Sequence, residues 1–350
     1  MLCTGEKEEM KDENGRLNVL KQRSKELDIC KALLIILVVI GHANVDTRII
    51  KIIFWFHMPV FFYLSGYLLH LPRKSEWKNW AIKKAKRLLI PCLFFWVLCT
   101  FIDGNLTAGS FAAFVWGGKR QGGVYWFVIV LFLAELFMSV IELHISSSKI
   151  KIMIYAGCYC SAILESILMI PSDYVLMPDW MKFPWNVDVV PLAIGYLAMG
   201  YYGKEQITNW MREGFVGKRM LLTGASIIIF IVFAYAYWEG KFDYRMDMKY
   251  SLYPNFVFPL LFPVVAGIIL LEISLILAKM KGVSSVVAYI GMATMSVMYL
   301  HVLIIGQIVK HFMGENYSIF WGVIIVLCLS CLFHYIINKN KWLSLLFEGK

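Results

Sequence analysis

The chain has 350 residues, 59% of them hydrophobic and 17% charged, with a formal charge of +10. A water-soluble domain needs a polar exterior, so this balance excludes one and makes the bilayer the main solvent. In a soluble chain such a charge would point to nucleic acid. Here no nucleic-acid partner is expected, and what matters is where the cations sit relative to the apolar spans.

Residues 1–26 are polar and charged, and no short apolar stretch with a small-residue cleavage site precedes the first span. A signal peptide is therefore not expected, and 1–26 reads as a cytoplasmic tail. Apolar runs long enough to cross a membrane cover about 29–45, 49–70, 88–102, 124–143, 152–170, 187–202, 220–237, 256–278, 286–309 and 317–337. The third and sixth are short. The third can extend backwards through "WAIKKAKR", a basic amphipathic stretch suited to the interface. The expected architecture is all-α: a polytopic membrane helix bundle over 27–338 with about ten transmembrane helices, then a second cytoplasmic tail, 339–350. Lys and Arg crowd into the first tail, 71–87 and 203–219 and thin out in the alternate loops. The positive-inside rule then puts both termini in the cytoplasm, in a multi-pass protein of the cytoplasmic membrane. The 8 cysteines form no disulfide framework. Cys328 and Cys331 make a CxxC, but inside an apolar helix with no second pair, so they read as packing residues, and no metal site is expected.

Ionisable groups inside a membrane are functional candidates because burying charge in lipid is costly. They are Asp28, Lys31, His42, His57, Glu135, Glu165, Asp188, Glu272 and His301. The stretch "CKALLIILVVIGHANVD" sets Lys31 near the cytoplasmic end of the first span and His42 eleven residues on, about 16 Å along a helix. An imidazole titrates near neutrality and can take the proton of an attacking hydroxyl. Asp46 follows His42 at i+4, on the same face if the helix continues, where its carboxylate would orient the ring. His57 lies in "FWFHMPVFFYLSGYLL", where Pro59 breaks the helical ladder and Ser65-Gly66 allows close helix approach. His301, in "YIGMATMSVMYLHVLI", reaches the same outer half of the bundle as His42. Glu135, Glu165 and Glu272 are expected to be structural. The basic loop 71–87 has two readings: the positive-inside rule alone, or a docking site for a phosphate-rich cytoplasmic ligand. Phosphate-loop, zincin and serine-hydrolase motifs are absent.

Taken in order, "ELDICKALLIILVVIGHA", "FWFHMPVFFYLSGYLL", "KKAKRLLIPCLFFW", "YWFVIVLFLAELF", "VDVVPLAIGYLAMGYY" and "YIGMATMSVMYLHVLI" resemble the membrane acyltransferase-3 family. Within it they resemble the branch of fucose 4-O-acetylase-like acetyltransferases, from about residue 26 to 337. The resemblance implies O-acetylation of a sugar on an extracytoplasmic glycan or lipid-linked saccharide, with acetyl-CoA as donor substrate and no permanently bound cofactor. It implies a catalytic His42, a donor-contacting Lys31, and family positions at His57 and Arg87. Many relatives carry Arg where this chain has Lys31, a point charge rather than a phosphate fork. On this reading CoA phosphates would lie near Arg73, Lys83, Lys84, Lys86 and Arg87, and the acetyl group would arrive near His42. The oxyanion donor would be His57, His301 or Tyr63. A covalent acetyl-His42 intermediate is the variant mechanism.

Two other classes fit the same spans: a proton-coupled transporter of a small solute or glycan precursor, and a scaffold in a glycan-assembly complex. No inverted repeat supports the first. Aromatic side chains in the outer loops 103–123, 171–186 and 238–255 and beside them (Trp116, Tyr125, Trp126, Trp180, Trp185, Trp238) read as a sugar-stacking set or as the interfacial belt.

Overall fold

The computed structural model describes residues 10–11, 17–18, 24–117, 123–170, 183–211 and 216–349. In the leading segment, Met10–Lys11 pairs antiparallel with Leu17–Asn18. From Lys25 onward the described chain is helix and loop, with one isolated bridge between Asp247 and Leu252.

Helix α1 (Lys25–Gly41) begins where the Ser24 hydroxyl accepts from the Leu27 N–H at 3.4 Å. Glu26 and Asp28 in its first turn suit the positive end of the helix dipole. It stops at Gly41, so His42 is its C-cap rather than a mid-helix residue. Helix α2 (Thr47–Phe54) restarts at Asp46, whose carboxylate accepts from the Arg48 N–H at 2.8 Å. A second break at Trp55 and Phe56 precedes α3 (His57–Leu68). Pro59 falls in the first turn of α3, where a missing N–H costs least, so the ladder breaks just before the proline and not at it.

Helix α4 (Trp77–Ile102) is continuous through the basic stretch and Pro91. Its 26 residues reach about 39 Å, more than the hydrocarbon thickness, so one end extends past it. Then come α5 (Ala108–Trp116), α6 (Trp126–His144) and α7 (Ser148–Met169). A 3-10 turn at Pro184–Val189 leads into α8 (Val190–Tyr202), followed by α9 (Lys204–Met211), α10 (Val216–Trp238) and α11 (Phe258–Lys279). The next are α12 (Val283–Met292) and α13 (Thr294–Ile304), which runs through a π-helical turn, Ile305–Val309, into α14 (Lys310–Met313). The chain closes with α15 (Ile319–Asn338) and α16 (Lys341–Glu348).

Among the described residues, 8 helical stretches are long and apolar enough to cross a membrane. Each of the ten expected runs overlaps helix, though 29–45 overruns α1 by four residues and 49–70 crosses the break between α2 and α3. The two that miss the length are α1, with 17 residues, and α8, with 13. Both lie inside the bundle and need not match the lipid. Helix α1 packs on α11, α12 and α13, and α8 on α3, α6 and α7. Glycine makes these contacts possible, because a Cβ on Gly66 would strike the Leu197 carbonyl. A Cβ on Gly200 would strike that of Tyr63, and one on Gly291 that of Asp28. Without Cβ atoms the backbones meet, the usual device where lipid supplies no hydrophobic drive between helices.

The connection from α10 to α11 folds back into the bundle and is held at four points. The Trp55 indole donates to the Tyr244 carbonyl at 3.1 Å, and the Asn186 amide donates to the Lys249 carbonyl. The Ser251 hydroxyl bonds Asp188, and the Tyr253 N–H reaches the Ser166 hydroxyl at 2.8 Å. Tyr244, Met246, Met248 and Tyr253 are buried by it.

Candidate functional site

One large cavity, about 1240 Å³, runs through the bundle. Lys31, Lys84 and Arg87 line it, and so do His42, His57 and His301. It is therefore continuous along the cavity-facing side of α1, from the lysine near its start to the histidine at its end. His42 is exposed into this space, while His57 and His301 are buried in its wall.

The three histidines share one local geometry. The Nδ1 of His42 lies 2.9 Å from the Val38 carbonyl, that of His57 2.9 Å from the Ile53 carbonyl, and that of His301 3.1 Å from the Val297 carbonyl. A carbonyl oxygen only accepts, so in each ring Nδ1 carries the proton and a neutral ring keeps a bare Nε2 lone pair. The rings of His42 and His301 meet edge-on with centroids 4.7 Å apart. Buried His301 Nε2 has no hydrogen-bond partner among the described residues. The site thus presents hydrogen-bond acceptors, which is what proton abstraction from a hydroxyl requires.

Asp46 does not join this group. The chain turns at Gly41, and the Asp46 carboxylate caps α2 and pairs with the Arg48 guanidinium at 2.7 Å. That guanidinium holds the carboxyl down at about 2. The Val38 carbonyl, not a carboxylate, orients His42. Tyr63 is also displaced from its expected role. It sits in the α3–α8 contact with its hydroxyl beside Gly203, away from the cavity wall. Trp126 does line the cavity and is buried, as is its neighbour Tyr125.

At the lysine end, Lys31 pairs with Asp28 at 3.1 Å and Lys84 with Glu135 at 2.7 Å. Arg87 lines the cavity and forms no salt bridge among the described residues. Arg73, Lys83 and Lys86, expected beside it, are exposed and do not line the cavity. On α4, positions 84, 87 and 88 share the inward face, and 83 and 86 fall on the others. Glu135 lines the cavity beside Lys84, and Glu272 pairs with Arg219 at 3.0 Å. Glu348 of α16 closes the wall near Arg87, pinned by the His334 ring and by the Asn338 amide at 2.9 Å.

Sequence reasoning missed the other end of the cavity. Asp247, Lys249 and Tyr250 enter it on the α10–α11 connection. Burial pushes the Lys249 ammonium down from its usual range, opposed by the Asp247 carboxylate. Gln307 enters from the π-helical turn and donates to Asp103 at 2.9 Å. Such turns often mark functional sites. A single amide in "LIIGQIV" was a usable signal, whereas nothing in "RMDMKYSLY" distinguishes Lys249 from a surface lysine. Of the remaining aromatics, Trp116 is exposed and Trp185 packs against Gly117. Trp238 stacks under the Arg48 guanidinium at 3.8 Å, and Trp180 lies outside the described residues.

Residues 24–339 match the model of an acyltransferase domain family, Acyl_transf_3. Over 127 residues the chain is 34% identical to the nodulation protein NolL of Sinorhizobium fredii. That match covers 30% of this chain and 33% of the relative, so it spans about a third of either protein. No solved structure matches.

Proposed function

The chain belongs to the acyltransferase-3 family, and from that premise we propose that it moves an acetyl group from cytoplasmic acetyl-CoA to a sugar hydroxyl across the membrane. The acceptor is an extracytoplasmic glycan or lipid-linked saccharide, as in the fucose 4-O-acetylase-like branch. The single observation behind this is the cavity shared by Lys31 and His42. A thioester made in the cytoplasm must meet an alcohol outside it, and the cavity is a path for the acyl arm.

On this reading the Lys31 end faces the cytoplasm, in the cytoplasmic membrane. The CoA phosphates lie near Arg87, Lys84 and Lys31, while Arg73, Lys83 and Lys86 contribute only long-range attraction. The pantetheine arm follows the apolar wall of α1. His42 Nε2 removes the acceptor proton as the oxygen attacks the thioester carbon, and the resulting imidazolium returns that proton to the departing thiolate. By holding the proton on Nδ1, the Val38 carbonyl leaves Nε2 free to act as the base between turnovers. His57 and His301 line the chamber around the acceptor, and Trp126 and Tyr125 supply apolar faces for a sugar ring.

The test is His42→Ala in the full chain. Membrane insertion and acetyl-CoA affinity should persist while mass spectrometry of surface glycans loses the acetyl group. Full acetylation in that variant overturns the mechanism.

A further inference from the structure

The acyl-transfer step leaves one requirement open: a donor for the oxyanion that forms when the thioester carbonyl is attacked. The histidines do not meet it. With Nδ1 committed to backbone carbonyls, neutral His57 and His301 present lone pairs, which repel an anion. Tyr63 lies outside the cavity wall. The Gln307 amide is tied to Asp103 through one of its two N–H groups and carries no charge.

Lys249 brings a cation: it lines the same chamber as His42. Its ammonium forms no salt bridge among the described residues, where Lys31 and Lys84 each have a carboxylate. Its main chain is fixed: Lys249 N–H donates to the Asp247 carboxylate at 3.0 Å, and Asn186 holds its carbonyl. A half-buried cation on a fixed main chain, its ammonium over the Tyr250 ring at 5.4 Å and lining the chamber that holds His42, is suited to charge that appears only in the transition state.

We propose that Lys249 stabilises the oxyanion of acyl transfer, an inference that rests on the acyltransferase reading above. The acceptor oxygen bonds to the thioester carbon as His42 Nε2 takes its proton. The carbonyl electron pair moves onto oxygen, which accepts hydrogen bonds from the Lys249 ammonium. Collapse restores the carbonyl and breaks the carbon–sulfur bond. The thiolate then takes the proton from His42, giving the ester and free CoA thiol.

The experiment uses the full chain in nanodiscs, acetyl-CoA as donor and the lipid-linked saccharide extract of the producing cells as acceptor, with thiol release as the readout. Lys249→Gln should lower kcat about 100- to 1000-fold and leave acetyl-CoA affinity, measured by calorimetry, within twofold. Lys249→Arg should recover at least tenfold of that loss, which a purely structural role would not give. If Lys249→Gln keeps kcat within threefold of wild type, or loses acetyl-CoA binding while Lys249→Arg shows no recovery, the inference falls and the family reading stands. If the wild-type protein releases no thiol, or His42→Ala releases it as fast, both fall together.

Discussion

Lys84 is the residue where a donor-binding role and a structural role are hardest to separate, and its pair with Glu135 allows a quantitative test. The two charges lie 2.7 Å apart, with side-chain exposures of 23% and 6%. At an effective dielectric near 20 their attraction is about 6 kcal/mol, much of it offset by desolvation. Removing only the cation with Lys84→Met leaves a buried carboxylate uncompensated and should cost about 3–5 kcal/mol of stability. Removing both, Lys84→Met with Glu135→Met, should return to within about 1 kcal/mol of wild type, because the desolvation penalty disappears with the pair. The assay is the unfolding free energy by SDS titration in mixed micelles for the four members of the cycle. Acetyl-CoA affinity measured on the stable double variant then reports what Lys84 does for the donor alone. The reasoning is refuted if Lys84→Met is as stable as wild type, since the carboxylate would then not need its partner.

Gly66→Ala should destabilise the bundle by about 2–3 kcal/mol, since its Cβ would meet the Leu197 carbonyl, whereas Gly224→Ala, with nothing within 4 Å, should be neutral or stabilising by up to about 1 kcal/mol; equal thermal midpoints would contradict the helix contact. Asp46→Asn should leave kcat within twofold of wild type, because the carboxylate serves Arg48 and not His42. The pH–rate profile above pH 5 should be unchanged too: a carboxyl held at about 2 is ionised there, and its favourable pairing fades only as pH falls from its ordinary range through that value. A changed neutral-pH limb in that variant would return Asp46 to the catalytic group. Glu348→Ala should release α16 from His334 and Asn338, read as faster amide exchange over 341–348 than in wild type; unchanged protection would mean that the Phe347 contacts with Phe94, Phe95 and Phe333 hold the helix without it.

The apolar runs, the basic stretch of α4 and the Lys31–His42 spacing were legible in the sequence. Each is a local property, set by the cost of exposing a peptide group or a charge to hydrocarbon. Local pattern also carried the family. The sequence could not show that α1 ends at Gly41, one residue before His42, because that turn is held by contacts from elsewhere. The Asn44 N–H donates to the Tyr317 hydroxyl at 3.1 Å, and the Asn44 amide to the Glu315 carbonyl at 2.9 Å. The i+4 rule therefore paired His42 with Asp46 wrongly. Nor did a run of five cations reveal which two face inward; the contact of α4 with α6 and α16 settled that. Lys249 and Gln307 reach the chamber from segments hundreds of residues away from His42 in sequence, through a folded-back loop and a single π-helical turn. Spans follow from the solvent, which every residue meets alone, but a chamber follows from packing, which exists only once distant segments have met.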